Sequence, residues 1–371
     1  MNSEIKTNSE SIIPFQSLFG AEENLSTTLP QLVSLESFRA DPPALPEELI
    51  SGVLRCGHKM LVSGPSKAGK SFLLMELCIA LAEGKSWLGF KCRKSKVLYV
   101  NLEIDSASCI NRFLKIYEAL GWEPENLNNI MVWNLRGHAL PLDRLVPVLV
   151  ERMRNQNFNA VIVDPIYKVI TGDENSASEM GFFCNQFDKI CSQTGCSVIY
   201  CHHHSKGFQG AKRAIDRASG SGVFARDPDA QLDLIELDIP DEIRGSMPDS
   251  ATAWRMEGSL REFESFKPRN FWFVHPVHKP DQSGALSSCP ANGSIQAARL
   301  KNRKFTTSDQ RRTSVINAYN ACKTSDEPVT IEEMAKSAGV TVRCMRDRLK
   351  ETEDLFRTKK GKVWKADENE Q

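Results

Sequence analysis

The sequence predicts an α/β fold: a mainly parallel sheet flanked by helices, followed by a small basic C-terminal domain. Three observations predict it. Between about residues 45 and 237, short β-branched runs alternate with amphipathic stretches of helical period, the pattern of strands covered by helices. A glycine-rich octapeptide, Gly64-Pro65-Ser66-Lys67-Ala68-Gly69-Lys70-Ser71, lies between one such strand and one such helix. Finally, the charge changes along the chain. Residues 299–365 hold 17 Lys and Arg against 9 Asp and Glu, an excess of eight cations hidden in a chain of 47 basic and 47 acidic residues.

Residues 1–40 are rich in Ser, Asn, Thr and Glu without periodicity, which predicts a flexible arm with short helical patches near Phe15 and Phe19. The main domain is expected over 41–280. Its strands are predicted at 59–63, 96–101, 130–134, 160–164, 197–202 and 231–237, and its helices at 70–82, 107–120, 143–156 and 178–194. Gly121 and Gly195 stand where left-handed C-caps belong. Residues 253–263 and 270–275 read as a hairpin or edge strands, with Trp254, Trp272 and Phe273 as packing aromatics. A Pro/Gly/Ser-rich linker is expected over 281–310. Over 311–366 the pattern gives a helix at 311–323, then a capping box of Thr330 and Glu333 opening a second helix that Gly339 stops. A third helix at 341–349 and two short strands follow, around the basic turn Lys359-Lys360-Gly361-Lys362.

Composition bounds the function. With 41% hydrophobic and 25% charged residues in 371, the chain is neither wholly disordered nor collagenous nor a coiled coil. No apolar run reaches the ~18 residues of a membrane helix, and Glu4, Lys6 and Glu10 are wrong for a secretory signal. Eleven cysteines without a CxxC pair fit a reducing compartment. A cytoplasmic protein without membrane contact is expected.

The octapeptide matches GxxxxGK[ST], and each of its features answers a need of polyphosphate chemistry. Glycines let backbone N–H groups converge on the phosphates, and the helix N-terminus adds partial positive charge. Lys70 supplies a point charge to the β- and γ-phosphates, and the Ser71 hydroxyl a ligand for Mg²⁺. The expected cofactors are ATP and Mg²⁺. Val161-Ile162-Val163-Asp164 has the form of a buried strand ending in a magnesium carboxylate. Hydrolysis also needs a group to orient water; Glu103, just past the strand at 97–100, is the candidate, because that strand is expected to lie adjacent to the phosphate-loop strand and so to place Glu103 near the γ-phosphate, with a helix-capping role as its alternative. The strand at 197–201 delivers His202, His203 and His204 to the same sheet edge. Either His202 or His203 is a candidate γ-phosphate sensor. Metal chelation by all three is geometrically poor, because neighbours on a strand face opposite ways, and a structural role stays open.

Together GPSKAGKS (64–71), LYVNLE (98–103), VIVDP (161–165), VIYCHHHSKG (198–207) and the Gly220-Ser221-Gly222-Val223 segment resemble the RecA-like ATPases. The closer resemblance is to the RepA-type hexameric helicases of plasmids and phages in the DnaB superfamily, and it covers roughly residues 45–280. It implies a RecA-like P-loop core and a homo-oligomeric ring, with Glu103 as base, Asp164 and Ser71 on Mg²⁺ and a histidine sensor. It also implies an arginine acting in the neighbouring subunit's site, for which Arg226, then Arg217, is the candidate. The loop 205–219, with Lys206, Lys212, Arg213 and Arg217, would then contact single-stranded DNA. Residues 311–366 resemble a winged helix-turn-helix, which implies duplex DNA or a protein partner, with Arg343, Arg346 and Arg348 as DNA contacts. The implied activity is an ATP-hydrolysing helicase or DNA-remodelling motor of a mobile element. The alternatives are an ATP-switched DNA-binding regulator with little turnover, or a recombination or repair ATPase that coats DNA.

Overall fold

A computed structural model describes residues 30, 32–204, 222–244, 247–292, 308–323 and 328–366. The chain divides into two units, residues 1–45 and 46–371. Of the first, the described part holds one turn of 3₁₀ helix, Leu35–Phe38, capped by the Ser34 hydroxyl. The expected helical patches near Phe15 lie outside the described residues.

The second unit begins with a short hairpin, β1 (Glu48–Ile50) and β2 (Leu54–Arg55), and then the first sheet strand, β3 (Lys59–Gly64). Helix α1 (Lys70–Glu83) follows, then the small hairpin β4 (Ser86–Trp87) and β5 (Phe90–Lys91). The next elements are β6 (Val97–Asn101), α2 (Ser106–Leu120), β7 (Ile130–Asn134), α3 (Leu142–Met153) and β8 (Ala160–Asp164). Then come α4 (Ala177–Thr194), β9 (Ser197–His203), α5 (Gly222–Arg226), β10 (Ala230–Glu236) and α6 (Asp241–Arg244). The domain closes with β11 (Thr252–Leu260), β12 (Arg269–Val274) and β13 (Val277–Pro280). Gly121 and Gly195 are left-handed caps, as their positions predicted.

One nine-stranded sheet organises all of this, in the order β13-β12-β11-β10-β3-β9-β8-β6-β7. From β10 to β7 every pairing is parallel, and β11, β12 and β13 extend the sheet antiparallel beyond β10. The fold is thus the expected α/β arrangement, a mainly parallel sheet flanked by helices. Strand parity sorts the core into two layers. Met60, Val62, Tyr99, Ile162, Ile199 and Cys201 face α1 and α2, while Leu61, Val100, Val161, Val163, Val198 and Tyr200 face α3, α4 and α5. One expectation fails: β6 does not neighbour β3, because β9 and β8 lie between them. Each parallel connection needs a helix to cross over, so order in sequence does not give order in the sheet.

Part of the segment expected as a linker is folded. Residues 281–292 fold back on the sheet: Leu286 and Cys289 are buried, Ala291 bridges Leu237, and the Asp238 N–H donates to the Pro290 carbonyl at 2.9 Å.

The C-terminal residues form helices α7 (Ser308–Cys322), α8 (Ile331–Ser337) and α9 (Val342–Lys350) and strands β14 (Val329–Thr330), β15 (Phe356–Lys359) and β16 (Lys362–Lys365). The strands pair antiparallel in the order β14-β16-β15. Val315, Tyr319, Met334, Met345, Leu349 and Phe356 form their shared core. The Thr330–Glu333 capping box closes as expected, each side chain meeting the other's backbone N–H. The β15–β16 turn places Lys360 and Gly361 at positive φ, the conformation of a tight hairpin turn.

Candidate functional site

The site is built on the carboxyl edge of the parallel sheet, where β3 runs into α1 through the glycine-rich loop. Gly69 caps α1 at φ 75° without a side-chain cap, so that end of the helix suits an external anion. A Cβ at Gly69 would sit 3.2 Å from His278 Nε2 and 3.3 Å from the Phe273 ring. The left-handed conformation therefore favours glycine there, and a Cβ would press closely on both rings.

Lys70 is buried, and its ammonium donates to the loop carbonyls of Gly64 (2.9 Å) and Pro65 (2.8 Å). Burial pushes its pKa down, partly offset by Cys201, Asp164 and Glu103. The same ammonium lies 3.2 Å from His203 Nδ1. An ammonium has no lone pair, so Nδ1 must accept, and the proton of the neutral ring sits on Nε2 as a free donor. Burial, then the Lys70 charge, lowers the pKa of His203 and holds the ring neutral.

The three histidines part company as strand parity requires. His203 faces the cleft. His202 points to the opposite layer, with its ring edge-on to Phe224 at 5.1 Å and Nε2 3.5 Å from Glu174. Its pKa is pushed down to about 4, first by burial and then by the His203 and Lys70 charges. His202 is thus removed from the pair of sensor candidates. His204 lies 3.4 Å from buried Asp233, which also accepts from Ser63 and Gln231. Among the described residues no group of three or more His, Cys, Asp or Glu side chains is placed to hold a metal.

Asp164 ends β8 and is buried. The Tyr99 hydroxyl donates to Oδ2 at 2.6 Å and the Cys201 thiol to Oδ1 at 3.0 Å. Burial and the Asp164 charge push both donors' pKa values well up, so both keep their protons. Each carboxylate oxygen retains a lone pair for a cation. Glu103 lies past the end of β6, exposed, and accepts from the Tyr167 hydroxyl at 3.1 Å. Glu103 does not cap α2; Asp105 does, accepting from the Ser108 N–H at 2.9 Å.

These groups line a single cleft of about 480 Å³ that runs along the loop from Ser66 to Phe72 and includes Glu103, Asp164, Tyr167 and His203. Its outer wall was not legible in the sequence. The Arg112 guanidinium stands 4.8 Å over the Phe72 ring, which lies 5.7 Å from Phe273 and 4.9 Å from His275. Trp254 and Trp272 are buried packing residues as expected, but Phe273 is half-exposed to the cleft. Behind it His278 stacks on Phe273 at 4.5 Å and is bound to Glu76 of α1 through both its backbone N–H (3.2 Å) and Nδ1 (2.6 Å). The only early signal for this wall was the aromatic residue directly after Ser71.

The family model described as an AAA domain matches residues 22–209, 188 of the 371 residues. The chain belongs to the AAA domain family. Its glycine-rich loop is accordingly the nucleotide-binding loop of a P-loop ATPase. Among solved structures, a KaiC-like protein from the hyperthermophilic archaeon Pyrococcus horikoshii is similar over 64% of this chain and 99% of that one, at 13% identity and a TM-score of 0.43.

The remaining expected site residues of this AAA domain protein fall elsewhere. Arg226 is exposed at the end of α5, beside Asp227, which pairs with Lys59 at the start of β3. That is the opposite end of β3 from Gly64, so Arg226 is not in its own chain's cleft. Lys206, Lys212, Arg213 and Arg217 lie outside the described residues. On α9, Arg343 and Arg346 are exposed, but Arg348 is not: it turns in toward α7 and donates to the Ser314 hydroxyl at 2.9 Å. It lies one residue from buried Leu349, on the core side of the helix, which removes it from an outward-facing set. No described helix is long and apolar enough to cross a membrane.

Proposed function

We propose that this ATPase is a DNA motor, a RepA-like replicative helicase or DNA-remodelling ATPase of a mobile element, working as a homo-oligomeric ring with Arg226 completing the neighbouring site. The observation that supports it most is the sensor geometry. His203 holds its Nδ1 on Lys70 and leaves Nε2–H for the outermost phosphate, and the basic segment 205–219 begins two residues later. Loss of that phosphate is thereby passed to a segment whose cations suit a single strand.

The residues fit a magnesium nucleotide. Asp164 and the Ser71 hydroxyl would hold Mg²⁺, which supplies charge neutralisation on the β- and γ-oxygens. Lys70 binds the same oxygens, and the loop N–H groups and α1 orient the chain of phosphates. The Phe72, Phe273 and Arg112 wall takes a purine base by stacking and cation–π contact. Glu103, oriented by Tyr167, accepts a proton from the attacking water. A carboxylate held ready for water supports turnover over a purely nucleotide-switched regulator. The C-terminal module is, in this reading, a winged helix-turn-helix that presents α9 to duplex DNA or to a protein partner.

The decisive experiment measures ATP turnover with and without single-stranded DNA, together with strand displacement and particle mass. Stimulation by the strand, displacement of a forked duplex and a multi-subunit mass are expected. Turnover indifferent to DNA would refute the motor.

Tyr99 and Cys201 carry a separate expectation. Tyr99→Phe or Cys201→Ala frees the Asp164 carboxylate to turn, and the Mg²⁺ concentration for half-maximal nucleotide binding should rise by roughly ten-fold. An unchanged magnesium titration would show that these donors do not position Asp164.

A further inference from the structure

The C-terminal module has a cavity outside the motor reading. Between α9 and the β15–β16 hairpin lies a cleft of about 560 Å³, within the ~300–1,000 Å³ typical of small-molecule sites. Its floor is apolar, made by Leu349 and Phe356, both 3% exposed. One wall is the half-buried ring of Trp364, which stands on β16 directly opposite Arg357 of β15. Arg346, Lys350, Arg357 and Lys359 are exposed at the rim, and Glu353 is the one carboxylate among the described residues that line it. Arg346 makes a loose ion pair with Glu332, 3.7 Å long and 59% exposed on both sides, an interaction a stronger anion readily displaces.

An apolar floor and an indole call for a flat ring, and four cations at the rim call for anionic groups attached to it. We propose that this cleft binds an unpaired nucleotide of single-stranded nucleic acid, its base against Trp364 and its flanking phosphates on Arg346, Lys350 and Arg357. A duplex suits the cleft poorly. Its bases are paired and stacked inside and its backbone is convex, so it reaches the rim and leaves the floor empty. The site stands independently of the ATP cleft.

The test uses the full-length chain without ATP, and follows the anisotropy of a labelled oligothymidine and of a duplex of equal length. Trp364→Leu is expected to weaken oligothymidine binding roughly ten-fold, the scale of one lost base stack. Trp364→Phe, which keeps a ring, should stay close to the parent, and duplex binding should change little in either. Arg357→Glu, at an exposed position, should weaken the oligothymidine and flatten its salt dependence. The proposal is overturned if Trp364→Leu leaves oligothymidine binding unchanged. It is also overturned if duplex binding falls equally, which would make the cleft a backbone contact. Displacement of the oligothymidine by free thymidine monophosphate at matched nucleotide concentration would do the same, by making it a mononucleotide site. Phe at 364 keeps the result readable if Leu disturbs the small core.

Discussion

Glu103→Gln is expected to bind ATP as tightly as the parent protein and to hydrolyse it at least roughly a hundred-fold more slowly, the lower end of what a positioned base contributes. Glu103 is exposed at the cleft and touches Tyr167 rather than the phosphate loop, so its amide analogue leaves the loop intact. Lys70→Ala should instead remove binding and turnover together. The Lys70 ammonium is buried on two loop carbonyls and lines the cleft beside the phosphate loop. A filter-binding assay with labelled ATP beside a phosphate-release assay separates the two variants. Wild-type turnover in Glu103→Gln would move the base elsewhere, and Tyr167 would become the first residue to examine.

The second large effect divides two neighbouring histidines. His203→Ala should lose most of its turnover with little change in stability, and His202→Phe the reverse. For His202 the sign follows from its folded pKa of about 4 against an ordinary value near 6.5. Between those values the unfolded chain binds a proton that the folded chain refuses. The stability due to a neutral His202 is therefore fully present above about pH 6.5 and is lost as pH falls toward 4, by up to about 3 kcal/mol. Glu174 does not rescue it, since that carboxylate is 36% exposed and 3.5 Å away. Urea unfolding at pH 7 and pH 4.5 reads this directly: the parent should lose stability on acidification, and His202→Phe should lose less. A parent curve flat with pH would mean that His202 is solvated in the folded protein.

Much of this was legible because strands and phosphate loops write themselves locally. Parity along 197–203 already required His202 and His203 to face opposite layers. Which of the two layers holds α1 is settled only by how the crossovers wind, and that is not a local property. Glu103 was found from its place after a strand, although the reason given, a strand adjacent to β3, was wrong. What gathers Glu103 and Lys70 is the common carboxyl edge rather than strand adjacency. The Tyr99 and Cys201 donors and the Arg112 wall were hidden because each acts across strands or helices far apart in sequence. Phe273 packs against the core as its pattern suggested and also lines the cleft, a second role that an aromatic residue's local pattern does not show.

The bond between Glu76 and His278 spans 202 positions of chain, and it bears on when the protein becomes competent during synthesis. The phosphate loop leaves the ribosome early. Yet the ring that crowds Gly69, and the carboxylate that holds that ring, come together only after the ninth strand has been added to the sheet. A nascent chain that stops short of residue 278 carries every letter of the nucleotide motif without the packing that shapes it. ATP can therefore act as a fastener of the finished domain, and has little to grip on a partial one.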